Sequence, residues 1–220
     1  MNSVFRRWFT DNPILESMPM VPLADLCSVV TKGTTPTTLG KSFVSEGINF
    51  IKAETILDNH VIDKKKFAYI DNETNEMLKR SIIRKGDIVF TIAGTLGRFA
   101  LIDDSVLPAN TNQAVAIIRS NCSKVTPEYL YSFFIGNWHN EYYTKRIQQA
   151  VQANLSLGTI KSLPIPLLSN DALSEYLKIV SPIISMTKQC EEENTQLSAI
   201  RDALLPKLMS GEIDVSGIEL

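Results

Sequence analysis

From Leu173 to Leu208, apolar or small residues return at intervals of three and four: Leu173, Tyr176, Val180, Ile183, Thr187, Cys190, Asn194, Leu197, Arg201, Leu204 and Leu208. This heptad stripe, interrupted by polar Thr187, Asn194 and Arg201, predicts one helix over 171–209. Glu191, Glu192 and Glu193 fall outside the stripe, on a solvated face. Pro182 is expected to kink the helix, and Pro206 followed by Gly211 to end it. At 1.5 Å per residue such a helix runs roughly 58 Å. A rod of that length cannot bury its stripe on a domain built from the rest of a 220-residue chain, so it calls for another helix. Folding back onto its own domain is the less favoured arrangement.

The preceding body has a different grain. Ile48–Ile51, Lys66–Ile70, Asp87–Ile92, Gly97–Ile102 and Gln113–Ile118 are short β-rich runs separated by turn residues, and the pair flanking Gly94 reads as a hairpin or two close strands. A short helix begins at Asn72. Thr126-Pro127-Glu128 is a strong helix start, with Thr as N-cap and Pro at the first helical position. Strands and helices do not alternate regularly, which favours an α+β domain over a doubly wound parallel sheet. The expected organisation is a linker over 1–17, a globular domain over 18–168, the helix over 169–211 and a tail over 212–220.

No apolar run approaches the ~20 residues needed to cross a bilayer. The spacing of Cys27, Cys122 and Cys190 suits neither a zinc knuckle nor a disulfide framework, and fits a reducing cytoplasm. The net charge of −2 hides an asymmetry: residues 18–170 carry 16 Lys and Arg against 13 Asp and Glu, whereas the segment beyond them is acidic. Anion binding is therefore expected of the body rather than the tail.

Catalytic signatures are not visible. Asp11-Asn12-Pro13-Ile14 lacks the aromatic after proline that would stack on a base. Ala93-Gly94-Thr95-Leu96-Gly97-Arg98 lacks the lysine and hydroxyl of a phosphate-binding loop and leads into a strand, so it reads as a tight turn. His60 and His139 have no partners at metal-ligand spacing. No metal site and no cofactor site is expected.

Three hydrogen-bonding segments in the basic body stand out instead. Lys32-Gly33-Thr34-Thr35-Pro36-Thr37-Thr38 is rich in small donors and acceptors. Asn110-Thr111-Asn112-Gln113 supplies three amides in four residues. Gln148, Gln149, Gln152 and Asn154 form another amide cluster. Amides pair bidentately with adenine, Arg and Lys with guanine, and Thr reaches phosphate or base edges. Candidate DNA contacts are therefore Lys32, Thr34, Thr35, Thr37, Thr38, Arg98, Asn110, Asn112, Gln113, Gln149 and Gln152, with Lys64, in the Lys64-Lys65-Lys66 run, on the backbone. The candidate helix-packing seam is Leu173, Tyr176, Val180, Ile183, Leu197, Leu204 and Leu208.

The order Lys32-Gly33-Thr34-Thr35-Pro36, Lys85-Gly86-Asp87-Ile88-Val89 running into Gly94-Thr95-Leu96-Gly97-Arg98, Gln113, and Thr126-Pro127-Glu128-Tyr129-Leu130 resembles a target recognition domain of type I restriction-modification specificity subunits. Leu163-Pro164-Ile165-Pro166-Leu167 is similar to the exit from such a domain into its helical spacer. Ile200–Ile213 resembles the end of that spacer, and Val4–Phe9 the segment that leads into a second recognition domain. Subunits of this family typically carry two recognition domains and two spacers, and this chain has room for one of each.

The resemblance implies a non-catalytic, cytoplasmic module that reads one half of a split site in double-stranded DNA. Its spacer would pair antiparallel with that of a second half, giving a homodimer. It would dock methyltransferase subunits and a restriction-translocase subunit, and S-adenosylmethionine, ATP and magnesium would belong to those partners. A coiled-coil scaffold whose head binds protein rather than DNA is the alternative.

Overall fold

The computed structural model describes residues 1–12, 17–147 and 154–213. In chain order the elements are α1 (Asn2–Phe5), β1 (Met20–Pro22), β2 (Cys27–Lys32), β3 (Ile48–Ile51), β4 (Ala68–Ile70), α2 (Asn72–Met77), β5 (Ile88–Thr91), β6 (Phe99–Leu101), β7 (Ala109–Thr111), β8 (Val115–Ser120), α3 (Pro127–Ile135), α4 (Trp138–Ile147), α5 (Leu157–Lys161), β9 (Pro164–Pro166) and α6 (Asn170–Met209). This is a mixed α/β head followed by a long helix. Contacts divide the chain into two units, Met1–Val180 and Ser181–Leu220.

Within the first unit, β2-β8-β5-β6 form an antiparallel sheet, while β4-β3-β7 form a second in which β3 and β7 run parallel. The β5–β6 hairpin expected from the glycine spacing is present. Ile88 faces Leu101 across it, and Gly94 and Gly97 adopt φ of 75° and 88° in its turn. Such backbone favours residues without a Cβ. Ile51, Val89, Ala100, Val115 and Ile117 share one core cluster fed by both sheets. Full burial of side chains of the Val and Ile size stabilises by about 1.5–3 kcal/mol each.

A charged pair sits at the start of β5. Asp87 is fully buried, and Arg119 of β8 donates to both its carboxylate oxygens at 2.7 Å. The Arg84 amide donates to the same carboxylate at 2.7 Å, and Arg119 also donates to the Ile82 carbonyl at 3.0 Å. A buried carboxylate is tolerated because its lone pairs are met by this bidentate fork.

Helix starts follow local chemistry. The Thr126 hydroxyl accepts from the Tyr129 amide at 3.3 Å, with Pro127 opening α3. Asp71 accepts from the Thr74 amide at 2.7 Å to begin α2. Both side chains satisfy amides that have no intrahelical partner.

Two expected boundaries move. The N-terminal segment, expected as a linker, is part of the head: the first helix continues as a π turn over Arg6–Thr10 that places Phe5 and Phe9 in the core at 1% and 0% exposure. Their four-residue spacing keeps both rings on one face. Phe9 lies 4.7 Å from Phe133 and 5.1 Å from Tyr176, and Phe5 meets Phe133 edge-on at 5.2 Å. The stripe on α6 is likewise divided. Tyr176 and Val180 are buried in the head, whereas Leu197 is 62% exposed and Leu204 and Leu208 are also open to solvent. The seam available to another helix is therefore the distal one.

Strand β1 pairs with β9, so Met20 faces Pro166 and Pro22 faces Pro164. Tyr129 donates to the Pro166 carbonyl at 2.5 Å and Trp138 to that of Pro164 at 2.7 Å. These bonds tie the Pro-Ile-Pro edge to the helical layer. Helix α6 has 40 residues, about 60 Å at the standard rise; Pro182 and Pro206 both lie inside it, and Gly211 at φ 75° follows its end at Met209. No helix among the described residues is long and apolar enough to cross a membrane.

Candidate nucleic-acid interface

Gly33 allows two of the polar segments to meet. A Cβ at this position would stand 1.8 Å from the Thr111 carbonyl oxygen, so only glycine lets the backbone after β2 press against the turn after β7. The Gly33 amide donates to the Asn112 carbonyl at 3.0 Å. Further along, the Thr35 hydroxyl donates to the Gln113 side-chain carbonyl at 2.5 Å. The Thr38 hydroxyl returns to the Thr35 carbonyl at 2.6 Å, and the Asn112 side chain accepts from the Ala114 amide at 3.0 Å. Lys32, Thr37, Thr38 and Gln113 are exposed on this loop pair, and Thr34, Thr35 and Asn112 are half-buried.

Other expected contacts are placed elsewhere. Asn110 lies in strand β7 rather than a loop and is fully buried. Its side-chain oxygen accepts from the Ser81 hydroxyl at 2.7 Å and the Thr111 amide at 2.8 Å. Its nitrogen donates to Asn75 at 2.8 Å and to the Leu78 carbonyl at 3.3 Å. Two lone pairs and two hydrogens are all used, so this amide has nothing to offer a base. Arg98 is also committed, donating to both carboxylate oxygens of Asp58 at 2.6 and 2.9 Å and to the Ile56 carbonyl at 3.2 Å. Both residues are corrected from DNA contacts to braces of the fold. Lys64 is exposed in a turn capped by Asp63, and no described contact joins it to the threonine loop. Gln149 and Gln152, with Gln148, lie outside the described residues.

Sequence reasoning missed Arg80. It sits in the turn over Lys79–Ser81, and its Nη2 donates to the Lys32 carbonyl at 3.3 Å and the Thr34 hydroxyl at 3.5 Å. The adjacent Lys79-Arg80 pair after a short helix was the only signal in the sequence, and nothing in one dimension links it to Thr34.

A cleft of about 450 Å³ opens elsewhere in the head, where His60, Phe90, Phe99, Phe134 and His139 are among the lining residues. His60 stacks on Phe99 at 3.9 Å. Burial lowers the pKa of both histidines, that of His139 to about 4. Among the described residues no group of three His, Cys, Asp or Glu could hold a metal ion.

Comparison with known proteins supplies the family. Residues 16–198 match the model of the type I restriction modification DNA specificity domain. The chain is 25% identical over 174 residues to the EcoBI specificity subunit of Escherichia coli, covering 77% of this chain and 36% of that one. It is 29% identical over 196 residues to the HindI specificity subunit of Haemophilus influenzae, covering 88% and 41%. The type I S subunit structure from M. genitalium superposes with a TM-score of 0.66 at 15% identity, over 94% of this chain and 52% of that one. The HsdS subunit from Thermoanaerobacter tengcongensis gives 0.56 at 17% identity, over 92% and 51%. The chain thus spans roughly two fifths of these curated relatives and half of these solved chains. This chain, with its head of three small sheets and interlocked threonine and amide loops followed by a 40-residue helix, belongs to the type I restriction-modification DNA specificity family.

Proposed function

We propose that this chain reads one half of a split target in double-stranded DNA and carries out no chemistry of its own. The observation that carries this reading is the loop pair of Thr34–Thr38 and Asn112–Gln113, fastened by the Thr35–Gln113 hydrogen bond in a chain of the specificity family. Hydroxyls and amides offer both donors and acceptors, which base edges in the major groove require. Their mutual bonds hold them in place beforehand, so less ordering is needed on binding.

The distal helix would then set the distance between two readers. Paired antiparallel through Leu197, Leu204 and Leu208 with a second copy, the helix beyond Val180, about 44 Å at 1.5 Å per residue, would hold two heads more than one duplex turn of about 34–36 Å apart. The base pairs between them go unread. Methyltransferase subunits and a restriction-translocase subunit dock on this frame in the cytoplasm and supply methyl transfer and cleavage.

Selection from random duplexes, with the methyltransferase partner present, tests the reading. An interrupted palindrome is expected from two identical halves. Enrichment of no sequence overturns it. Binding that fails to weaken steeply as salt rises excludes a DNA head and favours a scaffold.

A further inference from the structure

We propose that Arg80 is an anion-contacting residue of the reading surface, its guanidinium fork taking a bidentate acceptor of the DNA: a guanine edge or a backbone phosphate. This rests on the DNA reading above and adds to it the residue that supplies charge.

The arginines of the head differ in how their charge is used. Arg119 is neutralised by buried Asp87 and Arg98 by Asp58. Arg80 is exposed, and no carboxylate among the described residues pairs with it; its two acceptors, the Lys32 carbonyl and the Thr34 hydroxyl, are neutral oxygens. A guanidinium has five N–H donors. Nη2 faces the loop, which leaves Nε and Nη1 with three donors for another acceptor. The charge is retained in full.

Its surroundings concentrate positive potential. Lys79 is its chain neighbour, Lys32 lends the carbonyl that holds it, and both lysines are exposed without an ion pair among the described residues. Clustered like charges repel, and an incoming anion relieves that repulsion. The turn beneath is rigid by construction. The Ser81 hydroxyl donates to Leu78 and to Asn110, whose amide is fully bonded. Arg80 is thereby set beside Thr34 before any ligand arrives, and a preorganised fork suits planar bidentate acceptors better than a lysine does.

The test is binding of the selected duplex by the complex with its methyltransferase partner, using wild type, Arg80→Gln and Arg80→Lys. Arg80→Gln deletes the charge and, ending where Nε stands, also gives up the Nη2 bonds to the Lys32 carbonyl and Thr34 hydroxyl. It is expected to weaken binding about tenfold to a hundredfold. A guanine contact predicts relaxed preference at one base pair, with no rescue by lysine. A phosphate contact predicts uniform weakening, a salt slope lower by about 0.9, and substantial rescue by lysine. Arg80→Gln that melts like wild type and binds with unchanged affinity, salt slope and preference overturns this inference alone. Wild-type complex that binds no duplex overturns the DNA reading and this inference with it.

Discussion

The Thr35 hydroxyl donates to the side-chain carbonyl of Gln113 at 2.5 Å, joining residues 78 positions apart. Each residue belongs to a polar segment that alone is indistinguishable from an ordinary turn. Held together, they become one surface of donors and acceptors. Gln113→Ala should relax base preference at one position, by about 1–3 kcal/mol of discrimination if the amide reads an edge. Selection of bound duplexes from the variant complex measures this, and equal weakening on every sequence would show that Gln113 only positions the backbone.

Asn110 tests the opposite assignment. Asn110→Leu leaves the Thr111 amide and the Asn75 side chain without the partner that now satisfies them, and leaves the Ser81 hydroxyl only the Leu78 carbonyl. Buried groups stranded in this way cost about 1–3 kcal/mol each. Urea denaturation should therefore show a loss of about 3 kcal/mol or more, and a loss below about 1 kcal/mol would contradict the brace.

The Asp87–Arg119 pair gives a larger effect. Arg119→Met leaves a fully buried carboxylate without its bidentate partner, and breaking a buried pair from one side costs about 3–5 kcal/mol. Adding Asp87→Leu should recover part of that loss. Should the double variant be less stable than the single, the charge would not be the cause.

The distal helix predicts oligomeric state. Leu197 and Leu204 are 62% and 43% exposed in a single chain, and the proposed pairing with a second copy would cover them. Leu197→Asp or Leu204→Asp should halve the mass seen by light scattering. An unchanged mass would refute the distal seam.

His139 makes stability depend on pH. It is 6% exposed, and burial lowers its pKa from 6.5 to about 4. Between these values the unfolded chain takes up a proton that the folded chain refuses. This site therefore leaves stability untouched above about pH 6.5, erodes it as pH falls, and reaches a penalty of about 3 kcal/mol near pH 4. Burial lowers the His60 pKa as well, so its contribution has the same sign. His139→Phe should lose less stability than wild type between pH 7 and 5 in urea titrations. Parallel losses would mean that His139 is not the group responsible.

Much of the fold was legible because local chemistry wrote it. Thr126-Pro127 caps α3, Gly94 and Gly97 turn the β5–β6 hairpin, and the heptad spacing marks α6. The candidate site was half legible. Thr34, Thr35, Asn112 and Gln113 stood out by residue type and do come together, whereas Asn110 and Arg98 carried the same signal and serve the fold. Side-chain chemistry alone cannot distinguish an amide facing solvent from one whose four bonds are filled inside. The linker reading of Phe5 and Phe9 failed for a related reason, since the rings that receive them lie in α3 and α6.

Periodicity, capping residues and turn glycines act within a few positions, so the order of elements, the long helix and the stock of hydrogen-bonding residues were set by the sequence alone. Which of those residues face outward was decided only by tertiary structure. Gly33 lying against Thr111 and Arg80 seated on Thr34 join residues 78 and 46 positions apart, and the packing of the two sheets closes those distances.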